Sequence, residues 1–245
     1  MRSLEFHSSK EQLKVIIQPI ATIHTEFSEK FGIPRQSGLA VNLQARIVFE
    51  PPYRSEDALR GLEGFSHIWL IWEFSANRRG GRPTEEGDWQ PTVRPPRLGG
   101  NESVGVFATR SPFRPNPLGL SCVEVESIET DPDLGPVINV RGADLMDGTP
   151  IYDIKPYIKY ADSKPHASCG YVDALPERTL KVVLPAELSD SVIDKSILPA
   201  LVEVLSLDPR PSYHDDPDRI YGMSFAGLNV RFKVEDCILR VVEIK

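Results

Sequence analysis

The stretch Val104–Ser121, VGVFATRSPFRPNPLGLS, predicts a short strand, a loop braced by three prolines, and a second strand that starts at Leu118. Proline fixes its own φ angle and pushes the residue before it towards extended geometry. Between Ser111 and Pro117, only Phe113 escapes both restrictions. Ordering a flexible residue costs about 1–2 kcal/mol, so we expect this loop to be nearly ordered before any ligand binds.

The same loop carries two guanidinium groups and one amide, on Arg110, Arg114 and Asn116. Planar donors held on a stiff loop suit an anionic partner that accepts several hydrogen bonds. A barrel corner whose arginines pair with neighbouring carboxylates fits these residues equally well. The residues alone leave both interpretations open.

Length and composition favour one large domain, or one domain with a small second one, since the chain has 245 residues of which 40% are hydrophobic. The longest aliphatic or aromatic run, Ile68–Trp72, is far shorter than the roughly 20 residues of a membrane span. The first residues lack the apolar core of a signal peptide. Three separated cysteines, at 122, 169 and 237, favour reduced thiols and a cytoplasmic protein.

The net charge of −7 argues by itself against a nucleic-acid partner. The charge is uneven, however, because the range Arg78–Arg114 holds seven arginines and only four acidic residues. A local positive surface on an acidic protein can still bind phosphates. A solvated loop without a partner is the alternative interpretation.

Apolar patterns predict a mainly β first part of the chain, with turns rich in proline and glycine. The predicted strands are 15–22, 41–49, 65–74, 123–128, 137–140 and 151–160. Ser55, followed by two acidic residues, predicts a short helix that ends near Gly61.

The pattern changes after residue 165, where we place a boundary between a domain at 1–165 and a smaller α+β domain at 166–245. Helical periodicity covers 186–207, with Pro199 expected to separate two helices. The predicted strands of this part are 179–184, 221–225, 228–234 and 238–244.

Several common catalytic motifs are absent from the sequence. It has no GxGxxG after a strand, no Walker loop, no GxSxG and no HExxH, and its five histidines lack metal-ligand spacing. We therefore expect neither a dinucleotide-binding fold nor a metal site. Three loops braced by proline or glycine remain, at Pro34–Gln36, Arg110–Gly119 and Asp147–Pro150, and a barrel would place such loops together at one end.

Six segments carry a resemblance to a known family. They are PRQSG (34–38), LRGLEGFSHIWLIWEF (59–74), QPTVRPPRLGGN (90–101), the opening stretch, DGTPIYDIKPYIKYADS (147–163) and DPRPSY (208–213). With these, the chain closely resembles the TsaA-like family of TrmO-type tRNA adenine N6-methyltransferases. The resemblance implies a small β-barrel that binds S-adenosylmethionine, a homodimer, and methylation of t6A, the threonylcarbamoyl adenosine beside the anticodon, with threonine tRNA as the expected substrate.

The resemblance also implies site residues. It implies cofactor contacts from Pro34, Arg35, Gln36, Ser75, Ala76, Arg110, Leu120, Asp147, Gly148, Thr149 and Pro150. The chain departs from the family at Ser75 and Ala76, where many members have polar residues such as His-Gln, so only backbone contacts are expected there.

For catalysis, the expected residues are Arg110, Arg114 and Asn116 of the braced loop, with Asp153 and Tyr157 as candidate proton acceptors because they follow the Asp147 turn. The carbamoyl group of t6A acidifies the attacked N–H, so a modest base suffices. The tRNA anticodon loop is expected to contact Arg78, Arg79, Arg94, Arg97, Arg210 and Tyr213. A barrel that binds a nucleotide or RNA without catalysis is the alternative function, and a nucleotide hydrolase is a weaker one.

Overall fold

The computed structural model describes residues 16–77, 89–175, 179–211 and 216–245. In the first part of the chain the strands are β1 (Ala21–Thr25), β2 (Gln44–Phe49), β3 (His67–Glu73), β4 (Thr92–Val93), β5 (Val104–Gly105), β6 (Leu118–Asp131), β7 (Gly135–Arg141) and β8 (Thr149–Pro156). All but β4 and β5 close into an antiparallel barrel with the neighbour order β1–β2–β7–β6–β3–β8. β4 and β5 pair with each other in the loop before β6. The prediction of a mainly β protein with a barrel is confirmed.

Among the described residues of this part, helices are few and short. They are α1 (Glu56–Leu59) and α2 (Lys159–Asp162), with single 3₁₀ turns at Pro51–Tyr53, Leu62–Gly64, Ser75–Asn77, Pro96–Leu98, Val106–Ala108 and Gly170–Ala174. The expected helix after Ser55 is present as α1, and Ser55 is its N-cap residue.

Three strand predictions need correction. The strand expected at 151–160 is β8, which ends at Pro156, and the helix α2 begins at Lys159. The first strand, expected at 15–22, begins at Ala21, because its partners β2 and β8 pair with it only from Ala21 onwards, and Ile16 before it is exposed; residue 15 lies outside the described residues. β6 starts at Leu118, as predicted, but the strand expected at 123–128 is its middle rather than a separate strand, since β6 continues through a bulge near Val125 to Asp131.

The barrel interior is filled by alternating apolar residues, as the pattern of the sequence predicted. Ile47 on β2, Ile68 and Leu70 on β3, and Ile151 on β8 are fully buried in one cluster. Side chains on a strand point alternately to its two faces, so each of these strands gives one face to the core.

The second part of the chain contains β9 (Lys181–Val183), α3 (Ala186–Ser191), a 3₁₀ turn at Lys195–Ile197, α4 (Leu198–Ser206), β10 (Tyr221–Phe225), β11 (Leu228–Glu235) and β12 (Ile238–Ile244). Its sheet has the order β10–β11–β12–β9, and β9 runs parallel to β12. Two helices form as expected, but Pro199 lies in the first turn of α4 rather than between them, and residues 192–197 separate α3 from α4.

The segment that joins β1 to β2, residues 26–43, packs into the core of this second sheet. Phe27 and Leu43 are about 1% exposed there, and the ring of Phe27 lies edge-on to that of Phe225, with centroids 5.4 Å apart. The amide of Ala226 donates to the carbonyl of Glu26 over 2.9 Å. The 26–43 segment therefore connects the barrel to the second sheet, and it carries Pro34–Gln36.

Candidate active site

A cavity of about 490 Å³ opens at one end of the barrel. All three braced loops contribute to its wall, together with the end of β3 and the start of β6. The predicted cofactor residues in the wall are Pro34, Arg35, Gln36, Ser75, Ala76, Arg110, Leu120 and Thr149, and Arg114 is also there.

Strand pairing explains why these loops meet. Trp72 and Glu73 at the end of β3 lie opposite Gly119 and Leu118 at the start of β6. The amide of Phe74 then donates to the carbonyl of Pro117 over 3.0 Å. The turn after β3 and the proline-braced loop therefore start from the same edge of the barrel.

One hydrogen bond connects two of the loops directly. Nη1 of Arg110 donates to Oε1 of Gln36, across 74 positions of sequence. A guanidinium can offer five donors in a fixed plane, so Arg110 joins the loops while it faces the cavity.

Arg114 holds the proline-braced loop in shape. Its Nη1 donates to the carbonyls of Thr109, over 2.6 Å, and Val106, over 3.2 Å. Its Cζ lies 5.7 Å from the ring centroid of Phe107, within cation–π range. The loop is thus braced by a side chain as well as by its prolines.

Two carboxylates in the cavity wall were not expected from the sequence. Glu73, only 7% exposed, accepts a hydrogen bond on Oε2 from the hydroxyl of Tyr152. Asp144 accepts a hydrogen bond on Oδ1 from the hydroxyl of Ser121, over 2.5 Å. A charged residue ending the apolar strand β3 was a usable signal for Glu73, whereas nothing local marks Asp144.

The Asp144 carboxyl is electrostatically unusual. Burial raises its pKa, while the hydrogen bond from Ser121 and the positive charge of Arg110 lower it in part. A carboxyl with a shifted pKa on a cavity wall is a candidate functional group.

The Asp147–Pro150 turn contributes only Thr149 directly to the wall. Asp147 Oδ1 accepts from the amide of Thr25 and contacts Nδ1 of His24, each over 3.1 Å. The Asp147 carboxylate thereby fixes the turn against β1. Gly148 and Pro150 flank Thr149 without lining the cavity.

Three predicted catalytic residues lie outside the cavity wall. Asp153 pairs with Nζ of Lys155 over 2.9 Å. The ring of Tyr157 lies near that of Trp69, with centroids 6.1 Å apart, and Asn116 accepts from the amide of Leu118 through its main-chain carbonyl. Neither Asp153 nor Tyr157 lines the cavity, so neither is placed to accept a proton there. Asp153 lies within β8 and Tyr157 directly after it, and this strand runs away from the Asp147 turn.

The predicted tRNA contacts divide into three groups. Arg94 is exposed, on the loop beside β4. Arg78, Arg79, Tyr213 and the side chain of Arg97 lie outside the described residues. Arg210 is about 10% exposed and holds Asp208 through two hydrogen bonds, of 2.8 and 3.0 Å, so its guanidinium is not presented to a partner as expected.

The described ranges also bear on metals and membranes. Nowhere in them do three or more His, Cys, Asp or Glu side chains come together as they would around a metal ion. None of the helices found there is long and apolar enough to cross a membrane.

Comparison with known proteins bears on the identity of this barrel. Residues 22–163 match the family model of the tRNA-methyltransferase O N-terminal domain, and residues 177–245 match that of the TrmO C-terminal domain. The chain belongs to the TrmO family. The resemblance stated from the sequence motifs is thereby confirmed.

Individual TrmO relatives match over nearly the whole chain. A tRNA (adenine(37)-N6)-methyltransferase of Escherichia coli is 40% identical over 93% of this chain and 97% of its own. A protein of Pseudomonas aeruginosa named a putative S-adenosylmethionine-dependent methyltransferase, RcsF, is 37% identical over 93% and 96%. A crystal structure of TrmO from Pseudomonas aeruginosa superposes with a TM-score of 0.73 at 31% identity, covering 96% of this chain and 100% of that one.

Gly119, in the cavity wall of this TrmO barrel, is packed closely against Trp72. An added Cβ would lie 2.3 Å from Cε2 of Trp72. We expect Gly119→Ala to lower the free energy of unfolding by about 1–3 kcal/mol, which is about 2–4 °C in melting temperature per kcal/mol. Gly105→Ala is the matched control, since nothing lies within 4 Å of its added Cβ. Equal melting temperatures for the two variants would contradict this packing.

Proposed function

We propose that the cavity binds S-adenosylmethionine and that this protein, a tRNA (adenine(37)-N6)-methyltransferase of the TrmO family, methylates N6 of t6A to give m6t6A. Threonine tRNA is the proposed substrate. The observation that carries the proposal is the lining of the barrel cavity, which combines cationic, anionic and apolar side chains.

The lining fits the charges of this cofactor. S-adenosylmethionine carries a carboxylate, an ammonium and a sulfonium, and the wall offers two guanidiniums, on Arg35 and Arg110, and a carboxylate, on Glu73. Apolar side chains such as Leu120 give a surface for the adenine. A volume of about 490 Å³ lies in the usual range of small-molecule sites.

The predicted residues that line the cavity are the proposed cofactor contacts. They are Pro34, Arg35, Gln36, Ser75, Ala76, Arg110, Leu120 and Thr149. We assign Asp147, with Gly148 and Pro150, to holding Thr149 in place, because Asp147 is bonded to β1 rather than directed into the wall.

Alignment is the main contribution of such a site. Methyl transfer from a sulfonium is an in-line displacement, and good alignment of two reactants lowers a barrier by about 7–11 kcal/mol. The Arg110–Gln36 bond and the Arg114 contacts hold two loops in one geometry before a ligand binds. The rigid wall is therefore suited to this chemistry.

Arg114 is proposed to recognise the threonyl carboxylate of t6A. Its Nη1 is used within the loop, but its side chain also lines the cavity, and a guanidinium carries further donors suited to a planar carboxylate. This role would make the enzyme prefer tRNA that already carries t6A.

The proposed reaction predicts a methyl group on t6A and nowhere else on the tRNA. Mass analysis of nucleosides from threonine tRNA, after incubation with the protein and S-adenosylmethionine, should show m6t6A. Arg114→Ala should lose most activity on t6A-containing tRNA, and with it the preference over unmodified tRNA. Cofactor binding without turnover would instead support a non-catalytic sensor, and an Arg114→Ala variant with intact preference would remove the carboxylate contact.

The remaining proposals concern partners and location. We propose that the 166–245 domain and the arginine-rich loop, including Arg94 and Arg97, contact the anticodon loop of tRNA. Leu39 and Val41 are about half exposed, and we propose that this apolar surface is covered in a homodimer, which sedimentation analysis would detect. A cytoplasmic location is also proposed, from the three separated cysteines.

A further inference from the structure

Asp144 ends a chain of hydrogen bonds in the cavity wall. Nε1 of Trp72 on β3 donates to Oγ of Ser121 on β6 over 2.9 Å, and that hydroxyl donates to Oδ1 of Asp144 over 2.5 Å. Trp72 and Ser121 are buried, at 7% and 1% exposure. Both hydrogen bonds run in the same direction, from Trp72 to Ser121 and from Ser121 to Asp144. The Asp144 carboxylate is therefore the final acceptor of the chain.

Other charged groups face the same space. Arg110 from the proline-braced loop and the main chain at Ser37 favour the ionised carboxylate, whereas burial disfavours it. Glu73 from β3 and Arg35 from the 26–43 segment line the same cavity, as do Lys30 and Arg114. Asp144 thus lies among both cations and a second carboxylate.

The proposed reaction leaves one proton without an acceptor, and the inference below rests on that proposed function. The donor supplies a methyl group as its S–C bond breaks with the electron pair going to sulfur, while the N6 lone pair forms the new N–C bond. The N–H proton of N6 must then leave.

We propose that the carboxylate of Asp144 accepts this proton, and that Ser121 and Trp72 act as positioning residues that hold the carboxylate towards the substrate. Asp153 and Tyr157, expected in this role from sequence order, do not line the cavity. Glu73 does line it, but at 7% exposure it is more covered than Asp144, which is partly open to the cavity.

The surroundings make Asp144 suitable for this step. A carboxylate becomes more basic when positive charge nearby is lost, because opposite charge favours its ionised form. With the sulfonium bound, its positive charge helps to keep the Asp144 carboxylate ionised. Once the methyl group is transferred and sulfur becomes neutral, the carboxylate becomes more basic and can take the proton.

The test compares Asp144→Asn with the full-length wild type in single-turnover methylation of t6A-containing tRNA across a pH series. We expect the rate to fall about 100-fold, at the lower end of the range for general bases, and the acidic limb of the pH–rate profile to disappear. S-adenosylmethionine affinity, measured by calorimetry without tRNA, should be retained. Asp57→Asn, which removes an exposed carboxylate on α1, is the matched control.

Ser121→Ala provides a second test, in which the position of the acidic limb of the pH–rate profile is measured. A purely structural role of Ser121 would not shift that limb in a defined direction. The Ser121 hydrogen bond lowers the Asp144 pKa, so its removal should shift the acidic limb to higher pH.

Unfolding gives a readout independent of catalysis. Burial raises the Asp144 pKa above its unfolded value, so the native state binds the proton more tightly and the wild type loses stability as pH rises through the folded pKa. Asparagine does not titrate. The free energy of unfolding of Asp144→Asn should therefore rise relative to the wild type over that range.

Three results would overturn the inference. One is an unchanged rate and pH profile in Asp144→Asn. Another is loss of cofactor affinity in that variant, which would make Asp144 a cofactor ligand. The third is the expected kinetic pattern in Glu73→Gln or Asp153→Asn instead. If the wild-type protein transferred no methyl group to t6A, the proposed function itself would be wrong. That result is distinct from an active wild type in which Asp144→Asn has no effect, which would contradict the Asp144 role alone.

Discussion

Phe225→Ala is expected to weaken S-adenosylmethionine binding although Phe225 lies in the second sheet, outside the cavity wall. Its ring is fully buried and lies edge-on to Phe27, at the start of the 26–43 segment. Removing a buried phenylalanine ring costs about 3–5 kcal/mol of stability. Part of that loss should appear as disorder in the segment that carries Pro34–Gln36. We expect the affinity for S-adenosylmethionine to fall about tenfold, which corresponds to about 1.4 kcal/mol of binding free energy.

Further contacts fix the same segment. The amide of Asn42 donates to Oε2 of Glu203 on α4 over 2.9 Å, and the hydroxyls of Ser28 and Ser224 lie 2.9 Å apart. A Cβ added to Gly32 would lie 2.1 Å from Sδ of Met223. The second sheet therefore supports the 26–43 segment, which carries the proposed cofactor contacts Pro34–Gln36, over much of its length.

Phe232→Ala is the matched control for this prediction. Phe232 is equally buried, on β11, but its ring stacks on Tyr221 rather than on Phe27. Calorimetric titration at a temperature where both variants are folded should show the larger loss of affinity in Phe225→Ala. Equal affinities would mean that the 26–43 segment keeps its shape without the Phe225 contact.

Arg110→Ala is expected to lower kcat/KM about 100-fold, because a hydrogen bond to a charged group is worth about 1.5–3 kcal/mol. The substitution removes the bond to Gln36 that joins two loops of the cavity. It also removes the positive charge that lowers the Asp144 pKa, so the acidic limb of the pH–rate profile should move to higher pH.

Arg110→Lys separates the two effects. Lysine keeps the charge but not the planar set of donors, so this variant should lose activity while the acidic limb moves less than in Arg110→Ala. Arg60→Ala, which removes an exposed arginine after α1, should match the wild type. An Arg110→Ala variant with wild-type cofactor affinity and pH profile would show that Arg110 serves neither role.

Much of the architecture could be predicted from the sequence because the signals are local. The alternation along Ala45–Phe49 and the continuous apolar run of β3 give barrel strands, and the prolines between Ser111 and Pro117 give a stiff loop. The strands β10 to β12 were predicted at nearly their observed bounds for the same reason. In each case the deciding interactions are between residues close in the chain.

The misplaced residues share a different cause. Asp153 and Tyr157 follow the Asp147 turn in sequence, but β8 carries them away from the cavity. Arg210 was expected to contact tRNA, and its guanidinium pairs with Asp208. Proximity in sequence indicates neither the end of a barrel at which a side chain lies nor the partner that it meets.

Residue order and composition were enough to predict the barrel strands, the proline-braced Arg110–Gly119 loop at the cavity and the likeness to TrmO proteins, because those depend on periodicity, proline geometry and short motifs. The folded chain was needed to find Asp144 beside Ser121 and Arg110, and to show that Phe225 packs on the 26–43 segment. These pairs are separated by tens to hundreds of positions, and only the closure of the barrel and the packing of the second sheet bring them into contact.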